Sequence, residues 1–417
     1  MRRQNLWIAI LAATATLGTS ATYADFVDDS QVQLKFKNFY LDRQIKENPA
    51  GNWGSWSQGI TLDAKSGYHD IGGGIQVGAD LLVQHAFKLN ARDKNPDWIL
   101  PHDGKKSKDE FGKVGATLKA KVSKTELRVG ELLPISPVLT YDPTRQLVTT
   151  FSGAWLESKD LKDTKLTLAY VNGINNRYDN QFRDLTLFTL GQPGGHADQG
   201  LESDGMIIAG VDHQFTPELS AGYWFGDVKD IYQQHYVGAA YKTKLGENAK
   251  LDSHVRYFDT ADSGSSLYGH LDNQALSASA KVNYGAHTVG LNYQQMMGDS
   301  AFPTLGGWVP GAYLSNWGVA TFTQKDEKSV GVNYNYDFSG LGVKGLNATA
   351  VYFTGWDAEV KGVKNQDSDE LNLIVNYTVP EGQLKGLGVQ AMYIDANFDY
   401  KSDLQEYRVA TTYTYKF

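Results

Sequence analysis

Residues 405–417 read QEYRVATTYTYKF, an alternating, strand-like segment that runs to the end of the chain. Side chains along a strand alternate with period two. Tyr407, Val409, Thr411, Tyr413, Tyr415 and Phe417 therefore share one face, and Glu406, Arg408, Ala410, Thr412, Thr414 and Lys416 share the other. A soluble core would need later structure to cover such an aromatic face, whereas a bilayer around a closed barrel covers it without further chain. This feature restricts the fold to one that turns its polar side inward and its apolar side out.

The same pattern recurs upstream. Val32, Leu34 and Phe36 alternate with Gln33, Lys35 and Lys37, and Ile60, Leu62 and Ala64 alternate with Thr61, Asp63 and Lys65. Ile75, Val77, Ala79, Leu81 and Val83 form another apolar set, as do Val114, Ala116, Leu118, Ala120 and Val122, which oppose Lys113, Thr117, Lys119 and Lys121. Unpaired lysines on the polar face are costly in a dry core. Further strands are expected to start near Thr125, Phe151, Lys165, Met206, Leu219, Ile231, Ala249, Leu276, His287, Ser329, Leu346, Asp369, Leu387 and Gln405, about eighteen in all. Turn chemistry at Ser66-Gly67, Ser123-Lys124, Thr216-Pro217-Glu218, Tyr284-Gly285-Ala286 and Pro380-Glu381-Gly382 predicts tight connections. Longer ones at 42–55, 90–110, 131–150, 172–204, 259–274, 298–328 and 357–368 are expected to alternate strictly with them. Tight turns on one rim and long loops on the other describe a transmembrane barrel. A soluble propeller or sandwich is the alternative, and its hairpins have no reason to alternate in length. The expected fold is all-β, a transmembrane antiparallel barrel formed as one domain by residues 25–417.

Residues 1–24 read as a secretory signal peptide, with Arg2 and Arg3 before an apolar stretch from Leu6 to Leu17 and small residues around Thr22 and Ala24. That stretch is too short to cross a ~30 Å hydrocarbon core. With a mean hydropathy of -0.40 and no other long apolar run, a helical membrane protein is excluded. The 24 Tyr, 17 Phe and 9 Trp suit aromatic girdles at two membrane interfaces. There is no cysteine to form a disulfide, and a net charge of -8 argues against nucleic acid as a partner. These readings place the chain in the outer membrane of a Gram-negative cell, among its lipids. Tyr413, Tyr415 and Phe417 are similar to the terminal signal that such barrels present to their assembly machinery.

A barrel of this size is too wide to be filled by its own wall side chains, so it encloses water unless something narrows it. The segment 131–150, ELLPISPVLTYDPTRQLVTT, carries Pro134, Pro137 and Pro143 and is too rich in Leu and Val to wave in solvent. Folded into the lumen it brings Tyr141, Asp142 and Arg145 to a constriction. Resting on the outer rim it would be a lid.

Several motifs in order carry a family resemblance: KNFYLDR from Lys37, LKAKVSKTELRVGELLPISPVL and TRQL through the narrowing segment, VKDIYQQHY from Val228, HTVGLNYQQMMGD from His287, DEKS from Asp326, and LNLIVNYTV from Leu371. With these, nearly the whole chain resembles the OprD-type substrate-specific outer-membrane channels, barrels with the strand number counted above. The resemblance implies a ladder of Arg and Lys along one wall of a narrow eyelet, drawing in small carboxylates. Matched residue by residue, the rungs are Lys37, Arg43, Lys121, Arg128, Arg145 and Arg408. Strand parity independently turns Lys37, Lys119, Lys121, Arg128 and Arg408 inward. Two departures thin the ladder. Gln390 and Met392 stand where the family commonly has an Arg-x-Arg pair, and the segment from Leu314 to Lys328 is read as lacking the acidic residue that often faces the ladder. Fewer fixed charges select less strongly, so neutral or aromatic solutes gain, with Tyr141, Tyr232 and Tyr236 as contacts.

An enzyme is the competing class. His213, His235, His254 and His287 are scattered over different strands, and neither a G-x-S-x-G nor an H-E-x-x-H spacing occurs. Gly72-Gly73-Gly74 opens no helix and is no phosphate loop. Neither catalytic residues, metal nor cofactor is expected. A non-conducting receptor or adhesin barrel remains a further alternative. Active transporters need about 22 strands and a plug, for which this chain leaves no room, so passage is expected to be diffusive. Parity does not separate a monomer from a homo-trimer, because lipid and subunit faces are both apolar.

Overall fold

The computed structural model describes residues 29–187, 201–305 and 313–417; the expected signal peptide, 1–24, lies outside them. The strands are β1 (Gln31–Ile45), β2 (Trp53–Lys65), β3 (His69–Gly72), β4 (Ile75–Ala91), β5 (Glu110–Val122) and β6 (Thr125–Leu132). They continue as β7 (Thr150–Ser158), β8 (Thr164–Asn175), β9 (Met206–Gln214), β10 (Leu219–Val228), β11 (Tyr232–Leu245), β12 (Ala249–Asp262) and β13 (Asp272–Tyr284). The last six are β14 (His287–Met297), β15 (Lys328–Asp337), β16 (Leu346–Val360), β17 (Val363–Thr378), β18 (Gly388–Phe398) and β19 (Leu404–Lys416). All join one antiparallel 19-stranded sheet that closes from Gln33 opposite Lys416 to Ile45 opposite Leu404. The short β3 pairs with β4 alone, so eighteen strands make the wall. Closure leaves no unpaired edge in the bilayer.

The faces are inside out relative to a soluble sheet. On β5, Val114 and Leu118 are exposed while Lys113, Thr117 and Lys119 on the opposite face are buried. Lipid covers the outward side chains, each worth ~1.5–3 kcal/mol when fully removed from water. Outward aromatics form two bands. Tyr40, Trp56, Tyr170, Tyr257 and Tyr407 lie toward the long loops, and Tyr241, Tyr284, Tyr334, Tyr377, Tyr415 and Phe417 toward the tight turns.

Connection lengths differ from expectation in several places. β2 and β4 are not joined by a tight turn at Ser66-Gly67; the chain runs on through β3 and turns at Gly73-Gly74, both at positive φ. The region 357–368, expected as a long loop, is mostly strand, with β16 and β17 joined at Lys361-Gly362 through a bulge after Gly355. On the same rim β10 and β11 are separated only by residues 229–231. Strict alternation in length therefore fails, because backbone pairing can carry a hairpin beyond the membrane without any apolar pattern to announce it.

The apolar cores lie where loops meet the inner wall. Ile99, Leu100 and Leu147 from loops pack with Phe39, Leu41, Ala86 and Phe111. Val138 and Leu139 join a larger cluster with Met206, Trp224, Tyr232, Tyr236, Phe258 and Phe302. Ala320 and Phe322 pack on Phe353, Ile394 and Phe398. Segment 133–149 thus packs against inward-facing wall side chains, and so does 313–327, the segment that the family resemblance sets opposite the basic ladder.

Candidate functional site

Segment 133–149 holds its shape through its own polar groups. The Tyr141 N–H donates to the Pro134 carbonyl at 3.0 Å, and the Thr149 N–H to the Asp142 carbonyl at 3.0 Å. Asp142 Oδ1 accepts from the Thr144 N–H at 2.7 Å and the Thr144 hydroxyl at 2.6 Å. The wall then grips the segment. Gln146 Nε2 donates to the Lys37 carbonyl at 3.0 Å, the Ser57 hydroxyl donates to Gln146 Oε1 at 3.2 Å, and the Val148 N–H reaches Gln84 Oε1 at 3.0 Å. A Cβ at Gly59 would stand 1.9 Å from Gln146 Nε2, so the missing side chain makes room for this contact.

Four of the seven expected basic residues converge here. Lys37 donates to the Arg145 carbonyl. Glu406, fully buried, receives Arg43 Nε at 2.5 Å on one oxygen and Arg408 Nε on the other. Arg145 differs from its neighbours. Among the described residues its Nη1 reaches the Thr144 carbonyl and hydroxyl at 3.4 Å, and its buried Nε has no partner. Among the described residues it forms no ion pair. Burial, then the nearby Arg408, push this guanidinium down to about 9, which leaves it charged at neutral pH.

The other three gather elsewhere, by residues Ser66–Tyr68 between β2 and β3. Lys119 bonds Asp80 at 2.7 Å and the Ser66 carbonyl at 2.8 Å, Lys121 lies 5.6 Å from the Tyr68 ring centroid, and Arg128 pairs with Glu126 at 3.1 Å and Glu157 at 2.9 Å. Tyr68 donates to Glu126. Tyr232 and Tyr236 are buried among apolar side chains, Tyr236 edge-on to Tyr313 at 5.8 Å, so they brace loops instead of facing open water. Tyr141 packs at the border of that cluster. Gln390 and Met392 stand opposite Ala410 and Arg408 on the same inward face, with Gln390 Nε2 donating to Asn376 Oδ1 at 2.8 Å. The segment from Leu314 to Lys328 does contain acidic residues, Asp326 and Glu327. Glu327 is buried and turned to the Gln324 N–H at 2.8 Å and the Ser368 hydroxyl at 3.2 Å, so the carboxylate within the basic cluster is Glu406 instead.

Sequence reasoning missed Arg177, which pairs with buried Asp142 and donates from Nε to the Trp98 carbonyl at 3.2 Å. Burial lowers it to about 10. It also missed Lys113, which anchors the next loop through the Asn175 and Asn176 carbonyls at 3.3 and 3.0 Å. The available signal was an aspartate in an apolar loop, which needs a cation. At the outer rim His270, Asp272 and Asp299 bring ligand atoms within 4.8 Å of one another, but Asp272 already accepts from Gln274 at 2.6 Å and Asp299 faces Lys325 at 3.6 Å.

A cavity of about 340 Å³ lies against segment 133–149 at Pro143 and Thr144, next in the chain to Arg145, which does not itself line it. Lys37, Arg408, Phe39, Pro143, Thr144, Asn376, Gln390 and Thr412 are among its lining residues, and no carboxylate is. A closed lipid-facing wall around a lumen narrowed by loops, with cations at the narrowing, defines an outer-membrane diffusion channel. The chain belongs to the OprD family: the family profile described as outer membrane porin, OprD family, matches residues 24–417. It is 29% identical over 387 residues to the porin-like protein GalP of Pseudomonas putida, covering 92% of this chain and 90% of that one. Among solved structures it is similar to Pseudomonas aeruginosa OpdK with vanillate (TM-score 0.86, 29% identity, 94% of this chain and 100% of that one). It is also similar to Acinetobacter baumannii OccAB4 (TM-score 0.87, 34% identity, 93% and 98%). It is therefore a porin and not an enzyme, and small solutes pass through it.

Proposed function

We propose that this porin admits small carboxylates, single-ring aromatic acids among them, by passive diffusion past Arg145, Lys37 and Arg408. The observation that carries this reading is the Arg145 guanidinium, buried beside two further cations and without an ion pair among the described residues. A buried charge without a partner is costly, and a passing carboxylate offers the bidentate acceptor that a guanidinium fits. The carboxylate-free cavity beside it falls in the ~300–1,000 Å³ range of small-molecule sites, and Phe39 and Pro143 give a ring somewhere to rest. The solved OpdK structure with vanillate, an aromatic carboxylate, supports the same class. A neutral-solute reading draws on Glu406, which offsets Arg43 and Arg408, and on the paired Gln390 and Asn376 amides. Zero-current potentials and single-channel conductance in planar bilayers, with benzoate or glucose on one side, separate the two. Preference for benzoate over a neutral solute of equal size supports the carboxylate reading, and equal permeation defeats it.

Two processing steps belong to the same proposal. Residues 1–24 are removed on export, so the mature protein isolated from outer membranes begins at Asp25, as N-terminal sequencing tests. Tyr413, Tyr415 and Phe417 serve as the assembly signal. They are aligned on the outward face, and the rings of Tyr415 and Phe417 meet edge-on at 4.9 Å.

A further inference from the structure

We propose a second solute site at the outer mouth, a cavity of about 500 Å³ between the loop after β4 and the loop after β8, where a single-ring aromatic carboxylate is captured before it reaches Arg145. The ligand class rests on the carboxylate reading above; the cavity and its chemistry do not.

Two loops supply opposite parts of the cavity. Trp98 comes from one and Tyr178 from the other, and their rings meet edge-on at 5.4 Å and 72°. With Pro96 and Pro101 they form an apolar corner against which a ring can stack on one face and meet the other edge-on. Cations stand around it. Lys94 and Lys108 are exposed, and neither forms an ion pair among the described residues, while Arg183 is held by Asp179 at 2.5 Å. Three cations against one carboxylate in the lining make the cavity positive on a chain whose net charge is -8. A positive recess at the mouth raises the local concentration of anions and their rate of arrival.

The corner is built, not incidental. Trp98 sits at φ 59, a left-handed conformation that a bulky aromatic residue adopts only when its surroundings impose it. Here they do. Asp97 Oδ1 accepts the N–H groups of Ile99 and Leu100 at 2.9 and 3.0 Å, and the Trp98 carbonyl accepts from Arg177. His102 is fixed as well, its Nδ1 accepting from the Gly104 N–H at 3.0 Å and its Nε2 donating to the Asp93 carbonyl at 2.9 Å. Arg177 then pairs with Asp142, in the segment that carries Arg145. The indole that receives the ring is thus tied by two polar contacts to the constriction.

The test uses the full-length protein in an oriented planar bilayer, with benzoate as the probe and acetate as a ringless control. In the double variant Lys94→Gln, Lys108→Gln, the rate of benzoate binding events from the long-loop side falls about fivefold, since two steering charges are lost. The rate from the tight-turn side and the zero-current potential stay as in wild type, and acetate responds less than benzoate. Equal changes from both sides, or no change from either, overturns the outer site. A one-sided effect in this variant, together with unaltered benzoate selectivity in Arg145→Ala, would keep the outer site while removing the proposed role of the constriction. Because both lysines are exposed and form no ion pair among the described residues, the variant folds as the parent does.

Discussion

Replacing Arg145 by Ala removes a guanidinium that forms no ion pair among the described residues, in a position where Lys37 and Arg408 remain. At ~4 Å from a solute carboxylate, one unit charge contributes ~4 kcal/mol at an effective dielectric near 20 and ~1 kcal/mol in bulk water. The cavity opens to the water of the lumen and two cations persist, which sets the loss near the lower figure. That is ~1 kcal/mol, or about fivefold in the benzoate preference. The backbone contacts survive, because Lys37 bonds the Arg145 carbonyl and Gln146 bonds the Lys37 carbonyl. Repulsion from Arg408 and Arg43 is relieved at the same time, so the barrel still assembles. In planar bilayers the variant shifts the zero-current potential of a benzoate gradient toward cation preference, and glucose passes equally fast or faster through the wider opening. Lys121→Gln serves as the internal contrast, since Lys121 lies over Tyr68 in the other basic group and should change benzoate preference less. Unchanged benzoate preference in Arg145→Ala, or an equal loss in Lys121→Gln, would refute the assignment of Arg145 as the selective charge.

Arg177→Ala leaves Asp142 buried without its cation, a loss of ~3–5 kcal/mol for a broken buried pair, and should loosen segment 133–149; open-channel current noise then rises, while quiet wild-type-like currents would count against the clamp. Burial pushes Glu327 from 4.5 up to about 7. The folded state therefore binds its proton more tightly than the unfolded one, so the hold on segment 313–327 is fullest below pH 4.5 and is lost as pH rises through 7. Current fluctuations should grow from pH 5 to pH 8 in the wild type and stay flat in Glu327→Gln; a variant that keeps the full pH response contradicts this. Deleting Phe417, whose side chain is exposed but whose N–H closes the barrel on the Val32 carbonyl at 3.0 Å, should lower outer-membrane abundance severalfold, measured by blotting of membrane fractions, with the precursor degraded in the periplasm. Unaltered abundance would show that assembly does not read this residue.

The wall was legible because its information is local. A strand's two faces are set by residue parity, so Val114 and Leu118 outward, and Lys113 and Lys119 inward, followed from the one-dimensional pattern, as did nearly all the strand starts. Parity says which face a cation occupies, and little about which other cations it will meet. That depends on the stagger of strands around a closed barrel and on the paths of loops, neither of which leaves a periodic trace. Lys121 and Arg128 looked equivalent to Lys37 and Arg408 by face alone, yet closure carries them to a separate group by Tyr68. Arg177 looked like an ordinary loop residue until the tertiary structure set it against Asp142 and Trp98. Glu406 was only one polar residue on an inward face until Arg43 of the first strand and Arg408 of its own converged on it. Sequence alone determined the barrel, its polar lumen and the kinds of charge inside, because each follows from side chains two residues apart. Only the tertiary structure decided which of these charges are neutralised, Arg43 and Arg408 by Glu406, and which, like Arg145, form no ion pair among the described residues, because ion pairing depends on distances between segments far apart in the chain.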